Sequence, residues 1–282
     1  MSGPAVVISA LVGLVVGPLL RHAVDQVPLR RPVLRRRSAD DGPPLRPADL
    51  VAIWSWMQDE PAATIVPVGS PDDHPDGERP VERRRWRAPA IDIGAAVVLG
   101  ILGGRFGWSV QLPAFLAWGA ALVVVTVIDI DHYRIPDRVV FPAFGAAVVL
   151  LGAALAIGDP TDVRGMAMAA SLGALGYFGF LFVFFLVSPS GMGFGDVKLA
   201  LLLGLHLGWA GAAVDADGVL GFVGSVHGLR LVLIGGLIGS VLGSVVGLGA
   251  MAARGRRAHF PFGPSLCVGA LLAVVFSEQI LR

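Results

Sequence analysis

Apolar runs long enough, or nearly so, to cross a bilayer core of about 30 Å recur along the whole chain. Eight are predicted as helices, near residues 4–20, 90–104, 111–128, 139–157, 165–187, 199–214, 229–251 and 262–280. The first is short, and the second and sixth barely reach spanning length. Glycine recurs inside the runs, as expected where small residues let membrane helices approach closely, and "GLIGSVLGSVVGLG" is the best such face. The pattern predicts an all-α, polytopic membrane helix bundle of about eight transmembrane helices. It divides into a first helix (1–20), a polar loop (21–88) and a membrane core (89–282).

Composition agrees with the pattern: 55% of the 282 residues are hydrophobic and 15% charged, more apolar than a soluble domain of this length. The net charge of +1 says little about partners, since the charges are unevenly placed, and no nucleic-acid partner is expected. Of the 22 Lys and Arg residues, 18 fall on alternate connections: residues 21–88, 129–138, 188–198 and 252–261. By the positive-inside rule that side is cytoplasmic, with both termini outside. Arg21 follows the first run and no basic residue precedes it, the pattern of a retained anchor rather than a cleaved signal peptide. The loop of residues 21–88 is rich in Pro, Asp and Arg and is expected to be largely disordered, with "ADLVAIWSWMQ" a candidate interfacial helix. One cysteine, Cys267, excludes a disulfide framework and a cysteine-ligated zinc site.

Eleven of the 21 acidic residues lie in the long loop, where water solvates them. Asp159, Asp162, Asp215, Asp217 and Glu278 lie in or near connections on the other side, and Asp92 begins a predicted helix, where an anion suits the dipole. Asp129, Asp131, Asp137 and Asp196 remain, all at helix ends on the basic side. Asp129 closes the run in "LVVVTVIDIDHYRIPD", at a helix C-terminus where the macrodipole disfavours an anion. It is either paired with a group elsewhere in the bundle or solvated by headgroup water. Asp131, two residues on, points elsewhere and reads as solvated. Asp137 suits the N-cap of the next helix. Asp196 also precedes an apolar run and could be a cap, but Gly191, Gly193 and Gly195 beside it suit a backbone that admits an extended peptide. His206, inside a helix, reads as a packed, hydrogen-bonded histidine.

Two carboxylates brought together from two helix ends form the arrangement used for water-mediated peptide hydrolysis. Like charges a few ångströms apart resist joint ionisation, so the pair shares a proton: one member activates water and the other polarises the amide. Such a pair titrates as a unit.

"DIDHYRIPD" from Asp129 and "GFGD" ending at Asp196 resemble the two aspartate motifs of prepilin leader peptidases, membrane aspartyl proteases of the GxGD type. "GDVKLALLLGLHLGW" resembles the stretch after the second aspartate, and "FPFGPSLCVGALL" from Phe260 the C-terminal Pro-Phe-Gly-Pro segment. The resemblance covers much of residues 120–275. It implies Asp129 and Asp196 as the catalytic pair, with Gly193, Gly195, Asp137 and Lys198 supporting the motifs, and an active site at the cytoplasmic face of the bacterial inner membrane. It further implies cleavage of the basic leader from type IV pilin-like precursors without a cofactor, and, in many members, N-methylation with S-adenosylmethionine. Two features depart from the family. Residues 21–88 hold none of the CxxC pairs of larger members, and "GPLLR" from Gly17 stands where the first helix often reads Gly-Ser-Phe-Leu-Asn. Lys198, the only lysine, is expected to snorkel or pair at the interface. The competing readings are an ion- or proton-coupled transporter and a non-catalytic pilus or secretion assembly subunit.

Overall fold

The computed structural model describes residues 3–26, 80–158, 163–187, 192–214, 220–254 and 260–282, and among these every regular element is a helix. In chain order they are α1 (Gly3–Gln26), α2 (Pro80–Phe106), α3 (Leu112–His132), α4 (Asp137–Gly158), α5 (Val163–Val187), α6 (Phe194–Val214), α7 (Leu220–Arg254), α8 (Gly263–Val275) and α9 (Ser277–Leu281). The expected disorder of the long loop, its candidate interfacial helix, and Asp159, Asp162, Gly191, Asp215 and Asp217 lie outside the described residues.

Seven of the helices, α1 to α7, are long and apolar enough to cross a membrane. The chain is a multi-pass membrane protein. The expected run at 262–280 is divided: α8 has 13 residues, about 20 Å of helix, and α9 follows a break at Phe276. Arg105 holds the second piece, bonding Ser277 Oγ at 3.0 Å and Glu278 Oε1 at 3.0 Å. The polar loop also loses residues at both margins, because α1 extends to Gln26 and α2 begins at Pro80. Packing accounts for the α1 extension, since Val24 is buried in a cluster with Ile91 of α2 and Val123, Val124 and Ile128 of α3.

The helices form two groups. In the first, α1, α2 and α3 pack together; in the second, α6 lies at the centre, touched by α4, α5, α7 and α8. The α5–α6 contact is backbone to backbone. A Cβ at Gly173 would lie 2.8 Å from Gly208 Cα, and one at Gly204 would lie 2.9 Å from Ala174 Cα. Without side chains there, dispersion contacts spread along both helices, which is how membrane helices associate when no hydrophobic drive separates them from lipid. The groups meet where α3 touches α4 and α8. Phe115, Trp118, Tyr177, Leu199, Leu202 and Leu207 fill the interior. His206 is packed as expected, with Nδ1 2.9 Å from the Leu202 carbonyl and its ring stacked on Trp118 at 4.9 Å.

Candidate active site

At one end of the seam between the two helix groups lie Asp129 and Asp196, only 4% and 7% exposed. Asp129 lies in the last turn of α3. That helix stops at Tyr133, which takes a left-handed conformation (φ 50°) and donates its N–H to the Asp129 carbonyl at 2.8 Å. The Asp129 carboxylate is therefore close to the negative end of the α3 dipole. The compensation comes from α8: the N–H of Gly263, its first residue, donates to Asp129 Oδ2 at 3.0 Å. A helix N-terminus is the positive end of a dipole, so α8 offsets what α3 imposes. Of the two environments open to Asp129 from sequence, the structure shows the paired one.

Asp196 is not an N-cap. It is the third residue of α6, its N–H reaches the Gly193 carbonyl at 3.1 Å, and its carboxylate is hydrogen-bonded by the Gly193 backbone. An acid at this position reaching back to the preceding turn is the acidic half of a capping box. Asp129 lies within electrostatic reach of the Asp196 carboxylate. The two acids come from different helix groups, so the site exists only once those groups have docked.

Ile135, from the short connection between α3 and α4, fills the space beside both acids. A Cβ at Gly195 would lie 3.0 Å from Ile135 Cβ, and one at Gly263 would lie 3.1 Å from Ile135 Cδ1 and 2.7 Å from Asp129 Oδ2. Ile135 thus packs where a side chain at Gly195 would stand, and a side chain at Gly193 would face Asp196 Oδ2. Beneath the acids, Cys267 is buried and its thiol is hydrogen-bonded with the Thr126 side chain. Tyr177 is fully buried nearby, within electrostatic reach of Asp196.

Asp137 is the first helical residue of α4 and does not cap it; the Pro136 carbonyl accepts the N–H groups of Val139 and Val140. The Asp137 carboxylate instead takes both Lys198 contacts at 2.8 Å, and the Lys198 ammonium lies 5.0 Å from the Phe194 ring centre. Lys198 therefore pairs, as expected, and the pair ties α4 to α6 beside Asp196. Asp131 is exposed. Asp92 departs most from expectation: it is inside α2, 0% exposed, and 3.3 Å from Arg21 Nε of α1. Gly17 of α1 lies against that carboxylate, where a side chain would collide with it. Sequence reading passed over Gly263, Ile135 and the Arg21–Asp92 pair. Only Gly263 had left a visible trace, in the "FPFG" segment.

Fold and site together define a multi-pass helical membrane protein with two buried aspartates gathered at one end of the bundle. Residues 114–248 match the type IV leader peptidase family. Over 274 residues the chain is 28% identical to a prepilin leader peptidase/N-methyltransferase of Bacillus subtilis, covering 95% of this chain and 93% of that protein. It is 28% and 27% identical, over 201 residues, to proteins of the same name from Stutzerimonas stutzeri and Pseudomonas aeruginosa. Those matches span 69% and 70% of this chain and 60% of each relative's length. No solved structure matches. The chain is similar to the type IV leader peptidase family over just under half of its length.

Proposed function

We propose that the chain is an aspartyl endopeptidase that removes the leader from type IV pilin-like precursors at the cytoplasmic face of the bacterial inner membrane. The observation that carries this reading is the meeting of Asp129 and Asp196, buried and within electrostatic reach, at one end of a membrane bundle. Buried like charges share a proton. In that state the ionised carboxylate takes a proton from water as the oxygen adds to the scissile carbonyl carbon, and the protonated partner hydrogen-bonds the carbonyl oxygen. Collapse of the tetrahedral intermediate breaks the C–N bond. The leaving amine takes a proton from the dyad, and the new carboxylate departs with the leader. No metal or cofactor takes part in these steps.

The placement of 18 of the 22 basic residues supports the orientation, since the connections flanking Asp129, Asp137 and Asp196 all belong to the basic side. Exposed apolar side chains such as Leu233, Leu237, Val245 and Leu248 of α7 support contact with lipid along that helix. The relatives' names include N-methyltransferase, an activity that uses S-adenosylmethionine. A cavity of about 200 Å³ between Gln111, Ala154, Gly158 and Trp209 does not fit that cofactor, because no charged side chain lines it and it lies at the end opposite the aspartates. No methyl-transfer step is derived. A transporter reading is not favoured, because no observation at the site supports it over the peptidase. Co-expression with candidate precursors, followed by N-terminal sequencing, tests the proposal. A new N-terminus at the boundary between leader and apolar helix is expected, and intact precursors throughout would overturn it.

A further inference from the structure

The glycine-rich face of α7 and the "FPFG" segment before α8 stand out in the sequence, yet the chemistry above uses only Gly263. The structure joins them. Gly239, Gly243 and Gly247 recur every four residues and therefore share one face of α7. Glycine inside a helix costs about 0.5–1 kcal/mol relative to alanine, so three in register ask for a packing reason.

Each has a distinct neighbour. A Cβ at Gly239 would lie 3.0 Å from Leu266 Cα, which sets the closeness of α7 and α8. At Gly243 it would lie 2.7 Å from both Phe262 Cδ2 and Ser265 Oγ, and at Gly247 it would lie 2.6 Å from Phe260 Cζ. The Phe260 and Phe262 rings thus rest directly on the α7 backbone, edge to face with each other at 6.4 Å. Ser265 Oγ donates to the Phe262 carbonyl at 2.6 Å, closing the turn that presents the Gly263 N–H. That N–H is bonded to Asp129 Oδ2.

We propose that Gly243 and Gly247 are positioning residues for Asp129: they seat Phe262 and Phe260, and so fix where the Gly263 peptide holds the carboxylate. The inference rests on Asp129 being one of the catalytic pair. Neither glycine touches Asp129. A methyl group at either position must push its ring outward by several tenths of an ångström, and the ring belongs to the same short turn as Gly263. Misplacing a catalytic group by about 1 Å costs on the order of a hundredfold in rate, and part of that displacement is expected to reach Asp129. Substrate binding should be little affected, because the rings face α7.

The experiment uses the full chain reconstituted in lipid, with a pilin-like precursor that the wild-type protein cleaves, over a range of precursor concentrations. Gly243→Ala and Gly247→Ala are expected to lower kcat roughly ten- to a hundredfold with KM within about twofold of wild type. Gly249→Ala, on the same helix with open space around it, should match wild type. Gly247→Ala combined with Phe260→Leu, which removes the obstructing ring atoms, should recover much of the lost kcat. Wild-type kcat in both single variants, equal loss in Gly249→Ala, or no recovery in the double variant would overturn the proposal. Should an alanine variant fail to accumulate, Phe262→Leu decides, since it unloads the seat without adding an atom: reduced kcat at steady KM supports it, and wild-type kcat overturns it. No cleavage by the wild-type chain would instead count against the peptidase reading.

Discussion

Truncating Ile135 tests whether the seam between the two helix groups is wedged by this one side chain. Ile135 is 7% exposed, its Cβ is packed toward Gly195 of α6, and its Cδ1 toward Gly263 of α8. Valine removes only Cδ1, freeing the Gly263 side and keeping the Gly195 side. Alanine removes three carbons, emptying the Gly263 side and leaving only Cβ beside Gly195. Buried Ile→Val changes cost about 0.5–1.5 kcal/mol and Ile→Ala about 2–5 kcal/mol. At roughly 2–4 °C per kcal/mol for a domain of this size, the melting midpoint should fall by about 1–6 °C for Ile135→Val and by about 4–20 °C for Ile135→Ala. The assay is built into the chain. Cys267 is its single cysteine and is buried one turn along α8 from Gly263, so thiol-reactive dye fluorescence on heating reports the opening of this region. Ile135→Ala melting like wild type, or Ile135→Val melting below Ile135→Ala, would refute the wedge.

Three further outcomes are expected. Asp137→Asn and Lys198→Gln break a partly exposed pair, worth less than about 1 kcal/mol, and each should keep substantial cleavage; near-complete loss in either, at normal abundance, would make the pair part of the chemistry. Single cysteines at Ser70 and Ala216, in a Cys267→Ala background, should react oppositely with an impermeant thiol reagent added to intact cells, with only position 216 labelled; the reverse would put the aspartates outside. Metal analysis of the purified chain should find no stoichiometric zinc, since four thiolates are lacking, and deletion of residues 38–80 should leave cleavage mostly intact; bound zinc, or lost cleavage despite normal insertion, would contradict this.

The helix runs were legible because lipid demands long apolar segments, and the end of the bundle bearing Asp129 and Asp196 followed from the alternation of basic connections. Asp129 could be singled out because a carboxylate at a helix C-terminus is electrostatically misplaced on local grounds. What repairs it was hidden: the donor is a backbone N–H 134 residues away, and a peptide group leaves no side-chain signature. The Lys198–Asp137 pair spans 61 residues; the sequence offered Lys198 a partner but not which one. Asp92 was misread because the apolar run begins near residue 90, whereas the helix begins at Pro80 and carries Asp92 well inside, where Arg21 meets it. Ile135 looked like an ordinary loop residue. Only the convergence of α3, α6 and α8 gives it a buried place.

The most direct test of the account is precursor cleavage by Asp129→Asn and Asp196→Asn, each made singly and compared with wild type at matched membrane abundance. The amide keeps the shape of the side chain but cannot share a proton, and losing a positioned acid or base removes about 10²–10⁴-fold in rate. Both variants should be inserted and abundant, and precursor should remain uncut at times when the wild-type protein has processed it fully. Normal cleavage by either variant would contradict the assignment of the dyad.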